Sequence, residues 1–303
     1  MSIAVICPFG IDGGLVSAAV RLTDSPVRVL IPAAHAQEAM NLGAIYIHTL
    51  PGHFCVHDEA AFARWLSEKI RTWDVSIVLA PATVQLRNIM AMAAWHLKAG
   101  LTADCTSLCV QNGVLLQTRP AFGNNIMAQI RATSPIQMAT VRPNTYRPCQ
   151  HPIEKADIFP ENFTDTSTRV TIEKISAYGD EIPLGQAKII IAGGLGIGSA
   201  EGFQKLSALA EKIGAAVAAS RSAVDAGFAP YRCQVGITGM TVNPKVYIAV
   251  GISGAVQHLS GMSGADTVIA INNDPKATIF DYADYGIVGD WETVIHKVLE
   301  ELQ

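Results

Sequence analysis

Several features that would assign this sequence to a familiar class are missing from it. Basic residues are not in excess, since 22 Lys and Arg stand against 26 Asp and Glu, which argues against a nucleic-acid-binding protein. No unbroken apolar run approaches 18 residues, so the sequence predicts no transmembrane helix. The opening residues, MSIAVI, lack a basic n-region and a cleavage signature, and we therefore expect a cytoplasmic protein.

Cysteine is scarce, and its spacing excludes the usual redox motifs. The 6 cysteines form no Cys-x-x-Cys pair, so neither an iron–sulfur cluster nor a redox dithiol is indicated. His53, Cys55 and His57 would share one face of an extended segment, as metal ligands could. No fourth ligand is apparent, and we interpret this stretch as a polar loop that leads into a helix. No metal site is predicted.

Apolar residues make up 50% of the 303 residues, which suffices for two buried cores. Apolar runs alternate with helical periodicity, as where Asp74–Ala80 precedes Gln85–Ala99, a helix that Gly100 is expected to end. Asn112-Gly113 lies between two strand-like segments and predicts a β-hairpin. The predicted class is α/β with two domains, each built on a mostly parallel sheet flanked by helices.

Prolines mark the break between the halves. Pro143, Pro148, Pro152 and Pro160 disfavour both helix and sheet bonding, so residues 143–165 are interpreted as a connection. Val170–Ile175 is a further candidate strand of the first domain. We place the N-terminal α/β domain at residues 1–182 and a second, doubly wound domain at residues 183–303.

Two glycine-bearing loops in the second domain could hold a phosphate. Gly193–Gly198 follows a strand and opens a helix, but it is not the strict dinucleotide fingerprint, and a tight turn explains it nearly as well. In the loop that begins at Gly251, Ser253 could cap a helix. Its alternatives are a capped helix without a ligand and a nucleophile elbow, although the Gly-x-Ser-x-Gly pattern fails at Ala255.

Further polar residues follow the other strands of this domain. Ser220-Arg221, Asn272 and Asp290 all come after apolar runs, where the carboxyl ends of parallel strands form a ligand crevice. Taken singly, each has an ordinary explanation as a solvated Arg or as a turn or cap residue. Together they indicate a nucleotide-binding edge.

Residues 192–290 also carry a specific resemblance. The runs AASRSAVDAGF, QVGITGM, YIAVGISGAVQHLSGM, VIAINNDPKATIF and YADYGIVGD closely resemble the alpha subunit of electron transfer flavoproteins. In the first half, LAPAT, LTADCT, RPAFGNNIMAQI and MATVRPNTYR are similar to the bacterial, FixB-like branch of that family. The resemblance covers most of the chain.

The resemblance implies an electron carrier rather than an enzyme with its own substrate. The alpha subunit would bind FAD in a Rossmann-like C-terminal domain, and the N-terminal domain would form the interface with a beta subunit. The heterodimer would carry electrons between an acyl-CoA dehydrogenase or reductase of fatty acid beta-oxidation and a second redox partner. Two alternatives stay open: an NADH-dependent, electron-bifurcating subunit, and a nucleotide-binding module without electron transfer.

The family's FAD contacts carry over by position. Arg221 would lie over the isoalloxazine ring, Thr238 near flavin N5, and His258 at flavin O2 as a hydrogen-bond donor. One hydrogen bond to a charged group would raise the flavin potential by roughly 60–130 mV. The complete predicted set comprises Ser220, Arg221, Val235, Gly236, Ile237, Thr238, Gly239, Ser253, Gly254, Ala255, Val256, Gln257, His258, Asn272, Asp290 and Trp291.

Within that set, Ser253 to Gln257 would hold the pyrophosphate, and Asn272 and Asp290 would face the adenosine. Two positions depart from the family. Leu195 stands where many relatives carry Arg, and Ile237 stands where many carry Gln, so weaker FAD binding or a lower potential is expected.

Overall fold

The computed structural model describes residues 1–52, 56–121, 126–164, 173, 183–185 and 187–301. By its contacts the chain divides into two compact units, Met1–Ser176 (unit 1) and Ala177–Gln303 (unit 2). The predicted strand Val170–Ile175 lies outside the described residues except for Glu173, and so do His53 and Cys55. The predicted boundary between residues 182 and 183 falls among these gaps and stays a prediction.

Unit 1 is built on a seven-stranded parallel sheet of order β10-β3-β2-β1-β4-β9-β5, with an apolar cluster on each face. A separate antiparallel sheet joins β6, β7 and β8. The elements are β1 (Ile3–Ile6), α1 (Gly13–Leu22), β2 (Val27–Pro32), α2 (Ala36–Asn41), β3 (Tyr46–Leu50), α3 (Glu59–Thr72), β4 (Ile77–Pro81), α4 (Val84–Leu97), β5 (Gly100–Cys105), β6 (Ser107–Gln111), β7 (Val114–Ala121), β8 (Ile126–Arg131), β9 (Gln137–Val141) and β10 (Asp157–Pro160).

Local chemistry explains several of these elements. Asp58 caps α3 by accepting hydrogen bonds from the N–H groups of Ala60 and Ala61, and Phe62 and Leu66 follow on its buried face. Asn112 and Gly113 have φ values of 50° and 77°, the left-handed pair that a two-residue hairpin requires, and the predicted hairpin β6–β7 forms around them.

Two expectations for unit 1 were wrong in detail. Helix α4 ends at Leu97, where Lys98 takes the left-handed conformation (φ 53°), and Gly100 instead begins β5. A Cβ on Gly100 would lie 2.8 Å from the Cβ of Ala132, so this glycine serves close packing rather than helix termination. The proline stretch is also not all connection, because β10 pairs at the sheet edge, the position where a strand tolerates proline.

Unit 2 contains a five-stranded parallel sheet of order β12-β11-β13-β14-β15. Ser199 caps α5 and Gly214 ends it in the left-handed conformation, the roles typical of Ser and Gly at helix termini. The short elements α6 and β15 were not predicted from the sequence. The elements are β11 (Ile189–Gly193), α5 (Ala200–Ile213), β12 (Ala216–Ala219), α6 (Arg221–Asp225), β13 (Val246–Val250), α7 (Val256–Met262), β14 (Thr267–Asn272), β15 (Tyr285–Val288) and α8 (Trp291–Glu301).

The strand order of unit 2 determines where a ligand can enter. From β11 the chain moves outward to β12, then returns to β13 and continues to β14 and β15 on the other side. This is the 2-1-3-4-5 doubly wound order, and its switch point lies between β11 and β13. The loops that follow these two strands meet at the carboxyl edge of the sheet, where this strand order places a crevice. The predicted α/β class with mostly parallel sheets is thus confirmed, and among the described residues no helix is long and apolar enough to cross a membrane.

Candidate functional site

A cleft of about 700 Å³ opens at the carboxyl ends of the unit 2 strands, a volume within the usual range of ligand pockets. Most of the predicted site residues line it. Those that do are Ser220, Arg221, Val235, Gly236, Ile237, Thr238, Ser253, Ala255, Gln257, His258 and Asn272.

Glycines allow the loops around the cleft to meet backbone against backbone. A Cβ on Gly194 would lie 2.0 Å from the carbonyl oxygen of Gly251, so the two switch-point loops touch directly. Gly254, with φ +92°, would place a Cβ 2.3 Å from the backbone nitrogen of Ile279. Larger residues at these positions would push the loops apart and reshape the cleft.

Short-range hydrogen bonds hold the polar lining in place. The Ser220 hydroxyl caps α6 by accepting from the N–H of Ala223 (3.3 Å). The Gln234 side chain, which is buried, donates from Nε2 to the Thr238 hydroxyl (2.9 Å). The Asn272 amide donates to the carbonyl of Ile252 (2.8 Å) and so ties β14 to the loop after β13.

The cleft is weakly cationic. Among its lining residues, Arg221 and Lys276 carry positive charge and Asp274 carries negative charge. Oδ1 of Asp274 accepts a hydrogen bond from the backbone N–H of Lys276 (2.9 Å) within the same loop. Arg221 Nε lies 3.4 Å from Oδ2 of Asp225, one helical turn away. Because the Arg221 side chain is 66% exposed, solvent screens this ion pair and weakens the interaction. The lining therefore favours an anionic ligand.

His258 lies against the cleft and is buried. Its Nδ1 is 3.1 Å from the carbonyl oxygen of Val235, and its Nε2 is 3.0 Å from the hydroxyl of Tyr247. Burial lowers the pKa of His258 to about 4, partly offset by the bond to Val235, so the ring is neutral at pH 7. Neither nitrogen contacts Ser253, which gives no support to a serine hydrolase.

The structure contradicts the predicted capping role of Ser253, whereas Asp290 and Trp291 make local contacts and their FAD contacts stay predictions. Ser253 does not cap α7, because the N-cap position is Ala255 and no side chain bonds there. Asp290 lies outside the cleft lining, and its carboxylate caps α8 by accepting from the N–H and hydroxyl of Thr293 (both 2.9 Å). Trp291 packs against the apolar cluster beside α5 instead of lining the cleft.

Gly239, Gly254 and Val256 are neighbours of lining residues without lining the cleft themselves. Residues outside the predicted FAD-contact set also line the cleft. Leu195 and Gly196 belong to the glycine loop that was a candidate phosphate site, whereas the others were not singled out from the sequence: Gln234, Ser222, Lys276, Ala277 and Thr278. Lys276 could have been found from its place in the run after β14, because residues following a parallel strand meet at this edge.

A doubly wound sheet with a cationic, glycine-bordered crevice at its switch point defines a protein that binds a nucleotide cofactor. Two family models match the chain. Residues 11–178 match the electron transfer flavoprotein domain, and residues 183–263 match the electron transfer flavoprotein FAD-binding domain.

Curated relatives agree with these matches. The chain is 44% identical over 248 residues to the electron transfer flavoprotein subunit alpha of Thermoanaerobacterium thermosaccharolyticum, covering 80% of this chain and 75% of that protein. It is 45% identical over 235 residues to protein FixB of Clostridium saccharobutylicum, covering 74% and 69%. The Bacillus subtilis subunit alpha is 42% identical over 227 residues, covering 73% and 69%.

The chain therefore belongs to the electron transfer flavoprotein alpha subunit family. The predicted family and the predicted cofactor, FAD, are confirmed. The cleft fits this cofactor in chemistry, because it combines net positive charge for phosphates with buried polar side chains for the ribose and bases. The FAD-binding match ends at residue 263, so Asn272, which the resemblance already implied, and Asp274 and Lys276 lie beyond it in sequence but line the same cleft.

Proposed function

We propose that this chain is the alpha subunit of a cytoplasmic heterodimeric electron transfer flavoprotein that carries electrons between an acyl-CoA dehydrogenase or reductase and a second redox partner. FAD is held in the unit 2 cleft, and a beta subunit completes the particle. The observation that supports this most is the convergence of four separate loops, predicted from sequence as flavin contacts, on one cationic cleft.

FAD supplies the redox chemistry, since its isoalloxazine ring takes up and releases electrons. The protein's part is to bind and tune that ring. Arg221 provides a cation beside the place where negative charge develops on reduction, and Thr238 provides a hydroxyl whose position Gln234 holds. A cation next to the ring favours its reduced, anionic form and so raises the potential. No acid, base or nucleophile is required of the chain.

The adenosine end is assigned differently from the sequence prediction. Asn272 remains its proposed partner, with its amide already oriented by the carbonyl of Ile252. Lys276 and Thr278, which line the cleft beyond β14, are added to this role. Asp290 lies outside the cleft lining and uses Oδ2 to cap α8.

Unit 1 is proposed to carry the interface with the beta subunit. In the three-stranded antiparallel sheet, β8 is largely exposed and presents Ile126, Met127 and Ile130 to solvent. Ile126 and Ile130 lie on the same face of this strand, and exposed apolar side chains on one face are typical of a protein–protein contact. This sheet is the proposed contact surface.

The function is tested by co-expressing the chain with an electron transfer flavoprotein beta subunit. The purified pair should show flavin absorbance that bleaches when a matching acyl-CoA and its dehydrogenase are added. Bleaching by NADH instead would indicate the electron-bifurcating alternative. A pair that retains nucleotide but bleaches with no donor would identify a nucleotide-binding module and contradict the proposal.

The interface is tested by Ile130→Asp, which should abolish co-purification with the beta subunit because it places a charge in an apolar contact. Ile158→Asp is the matched control. Ile158 is also an exposed isoleucine of unit 1, but it lies on β10 of the other sheet. Equal loss of the partner in both variants, or in neither, would contradict the assignment to β8.

A further inference from the structure

Unit 1 contains an arginine cluster that the proposed function does not use. Its members are Arg87 near the start of α4, Arg119 on β7 and Arg142 directly after β9. Nη2 of Arg87 lies 2.7 Å from Oδ1 of Asp104 on β5, and within the described residues this is the ion pair that Asp104 forms. Since β4, β9 and β5 are neighbours in the sheet, the cluster lies at their carboxyl ends and carries excess positive charge.

Backbone hydrogen bonds bring these strand ends together. The N–H of Arg142 donates to the carbonyl of Cys105 (3.0 Å), and the N–H of Asp104 donates to the hydroxyl of Thr140 (3.2 Å). Asp104 adopts the left-handed conformation (φ 61°) where the pairing of β5 with β9 becomes irregular. The runs LTADCT and MATVRPNTYR, noted for their resemblance, thus meet at Asp104 and Arg142.

Arg142 is a buried cation. It is 9% exposed, and within the described part of the chain no ion pair neutralises it. Burial lowers the pKa of Arg142, Asp104 raises it, and the like charges of Arg87 and Arg119 lower it further, so all three side chains lie within electrostatic range. The guanidinium stays protonated. A buried charge without a partner is strongly destabilising, so we expect a counter-anion at this position.

Several buried donors around Arg142 also lack a partner among the described residues. They are Nε of Arg142, Nε of Arg87 and the hydroxyl of Thr106, which directly follows β5. Gln117 is fully buried two positions before Arg119 on the same face of β7, and both of its carboxamide atoms are unpaired within that part of the chain. Arginine only donates hydrogen bonds, so the group that satisfies these nitrogens must accept them.

We propose that the arginine cluster is a binding site for one oxyanion group, a carboxylate or a phosphate. Such a group offers the acceptors that the guanidinium nitrogens need and neutralises the excess positive charge, whereas a metal cation would be repelled. A free anion and an acidic side chain of the beta subunit present the same chemistry. Arg119 pairs with Ala128 of β8, in the sheet proposed to contact that subunit, so the second source rests on the proposed function.

The site is tested by NMR of the arginine Nε–H groups in the full chain, labelled with ¹⁵N-arginine and free of FAD. Inorganic phosphate, and separately acetate, is titrated against chloride at constant ionic strength. The Arg142 resonance should shift to saturation, whereas the resonance of Arg64, an exposed arginine on α3, should stay in place. Because neither FAD nor an electron donor is present, the result is independent of the bleaching experiment.

The heterodimer distinguishes the two sources. If the anion is free, phosphate should shift the Arg142 resonance in the heterodimer as it does in the isolated chain. If a carboxylate of the beta subunit fills the site, the resonance should move on assembly and then no longer respond to phosphate. An Arg142 resonance that moves no more than that of Arg64, with both anions and on assembly, would overturn the inference. Should no heterodimer form, the anion titrations alone decide the question.

Arg142→Gln should raise the Kd for phosphate about tenfold or more, measured at the Arg119 resonance, because it removes a buried charged donor. Where the partner fills the site, the same loss should appear in the Kd of the heterodimer. Arg64→Gln is the matched control and should change neither value. If Arg142→Gln does not fold, Arg119→Gln, measured at the Arg142 resonance, takes its place. An unchanged Kd in the variant would contradict the role of the cluster.

Discussion

Both units contain a parallel sheet, but its carboxyl edge is covered in unit 1 and open in unit 2. In unit 1 the strand order reverses between β1 and β4, and a later segment of the chain packs over this edge. The segment 142–149 returns over the start of α1, where a Cβ on Gly14 would lie 1.9 Å from the carbonyl oxygen of Tyr146. The Ser17 hydroxyl accepts from the N–H of Cys149 (2.9 Å), which secures the segment. Cys7, directly after β1, is buried, and burial raises its pKa.

In unit 2 the corresponding edge stays open. Its glycines allow close backbone contacts between loops, Gly194 with Gly251 and Gly254 with Ile279. These contacts lie at the border of the cleft and leave its interior open. A doubly wound sheet thus provides a crevice at its carboxyl edge, and the residues around that edge determine whether it is open to a ligand or covered by a segment of the protein.

The largest expected effect comes from two matched glycine substitutions. Gly194→Ala should abolish FAD retention and Gly14→Ala should not, because each Cβ collides with backbone but only the first borders the cleft. Each should cost about 1–3 kcal/mol of unfolding free energy in its own unit. Flavin absorbance and peptide-resolved hydrogen exchange measure the two effects. Gly289→Ala, whose Cβ would meet nothing within 4 Å, is the control. FAD loss in Gly14→Ala would contradict the claim that the cofactor site lies at the edge of unit 2 alone.

A second prediction concerns acid stability. The pKa of His258 falls from 6.5 to about 4 on folding, so between these values the unfolded chain binds a proton that the folded chain does not. The unfolding free energy of unit 2 should therefore decrease by roughly 3 kcal/mol as pH is lowered through this window.

Urea unfolding followed by hydrogen exchange in β13 peptides measures this slope. His258→Asn should reduce this pH dependence of the unfolding free energy. His296→Asn, which replaces an exposed histidine, should leave the pH dependence unchanged. In unit 1 burial likewise lowers the pKa of His48, but Glu161 at 2.8 Å opposes that shift. We therefore expect a shallower slope in unit 1, and an equal slope in both units would contradict the role assigned to Glu161.

The third prediction concerns the potential of the bound flavin. Arg221→Gln should make FAD harder to reduce, because a cation near the ring is lost. Since Arg221 is 66% exposed, solvent screening limits the effect to about 1 kcal/mol, or roughly 40 mV, below the range for a buried contact. Spectroelectrochemistry of the pair gives the value. Lys205→Gln, which changes an exposed side chain of α5 outside the cleft lining, is the control. A higher potential in Arg221→Gln would refute the charge argument.

The smallest effect is expected at Leu195, an exposed apolar residue on the cleft lining. Leu195→Arg would add a cation to a solvated position, which is worth about 0.2–1 kcal/mol. The Kd for FAD should fall by roughly 1.4- to 5-fold in a fluorescence titration at low salt, and the gain should shrink as salt is added. Tighter binding that is unaffected by salt would point to packing rather than charge.

Much of unit 2 was predictable because its signals are local. The Ser199 cap, the Gly214 terminus and the apolar strand β13 each depend on residues close in sequence, and the structure has all three. Polar residues after parallel strands could be assigned to one edge for the same reason. The helix α6 and the strand β15 were missed because they are short and carry little periodicity.

By itself the sequence determined the class of the chain, its family and the loops that carry the site, since these depend on composition, spacing and runs of residues. Only the tertiary structure decided which of those residues face the cleft. Asp290 caps a helix, Lys276 enters the site, and His258 is neutral with both ring nitrogens engaged. Each outcome depends on a partner that the fold brings near, and burial then sets the charge that the side chain can carry.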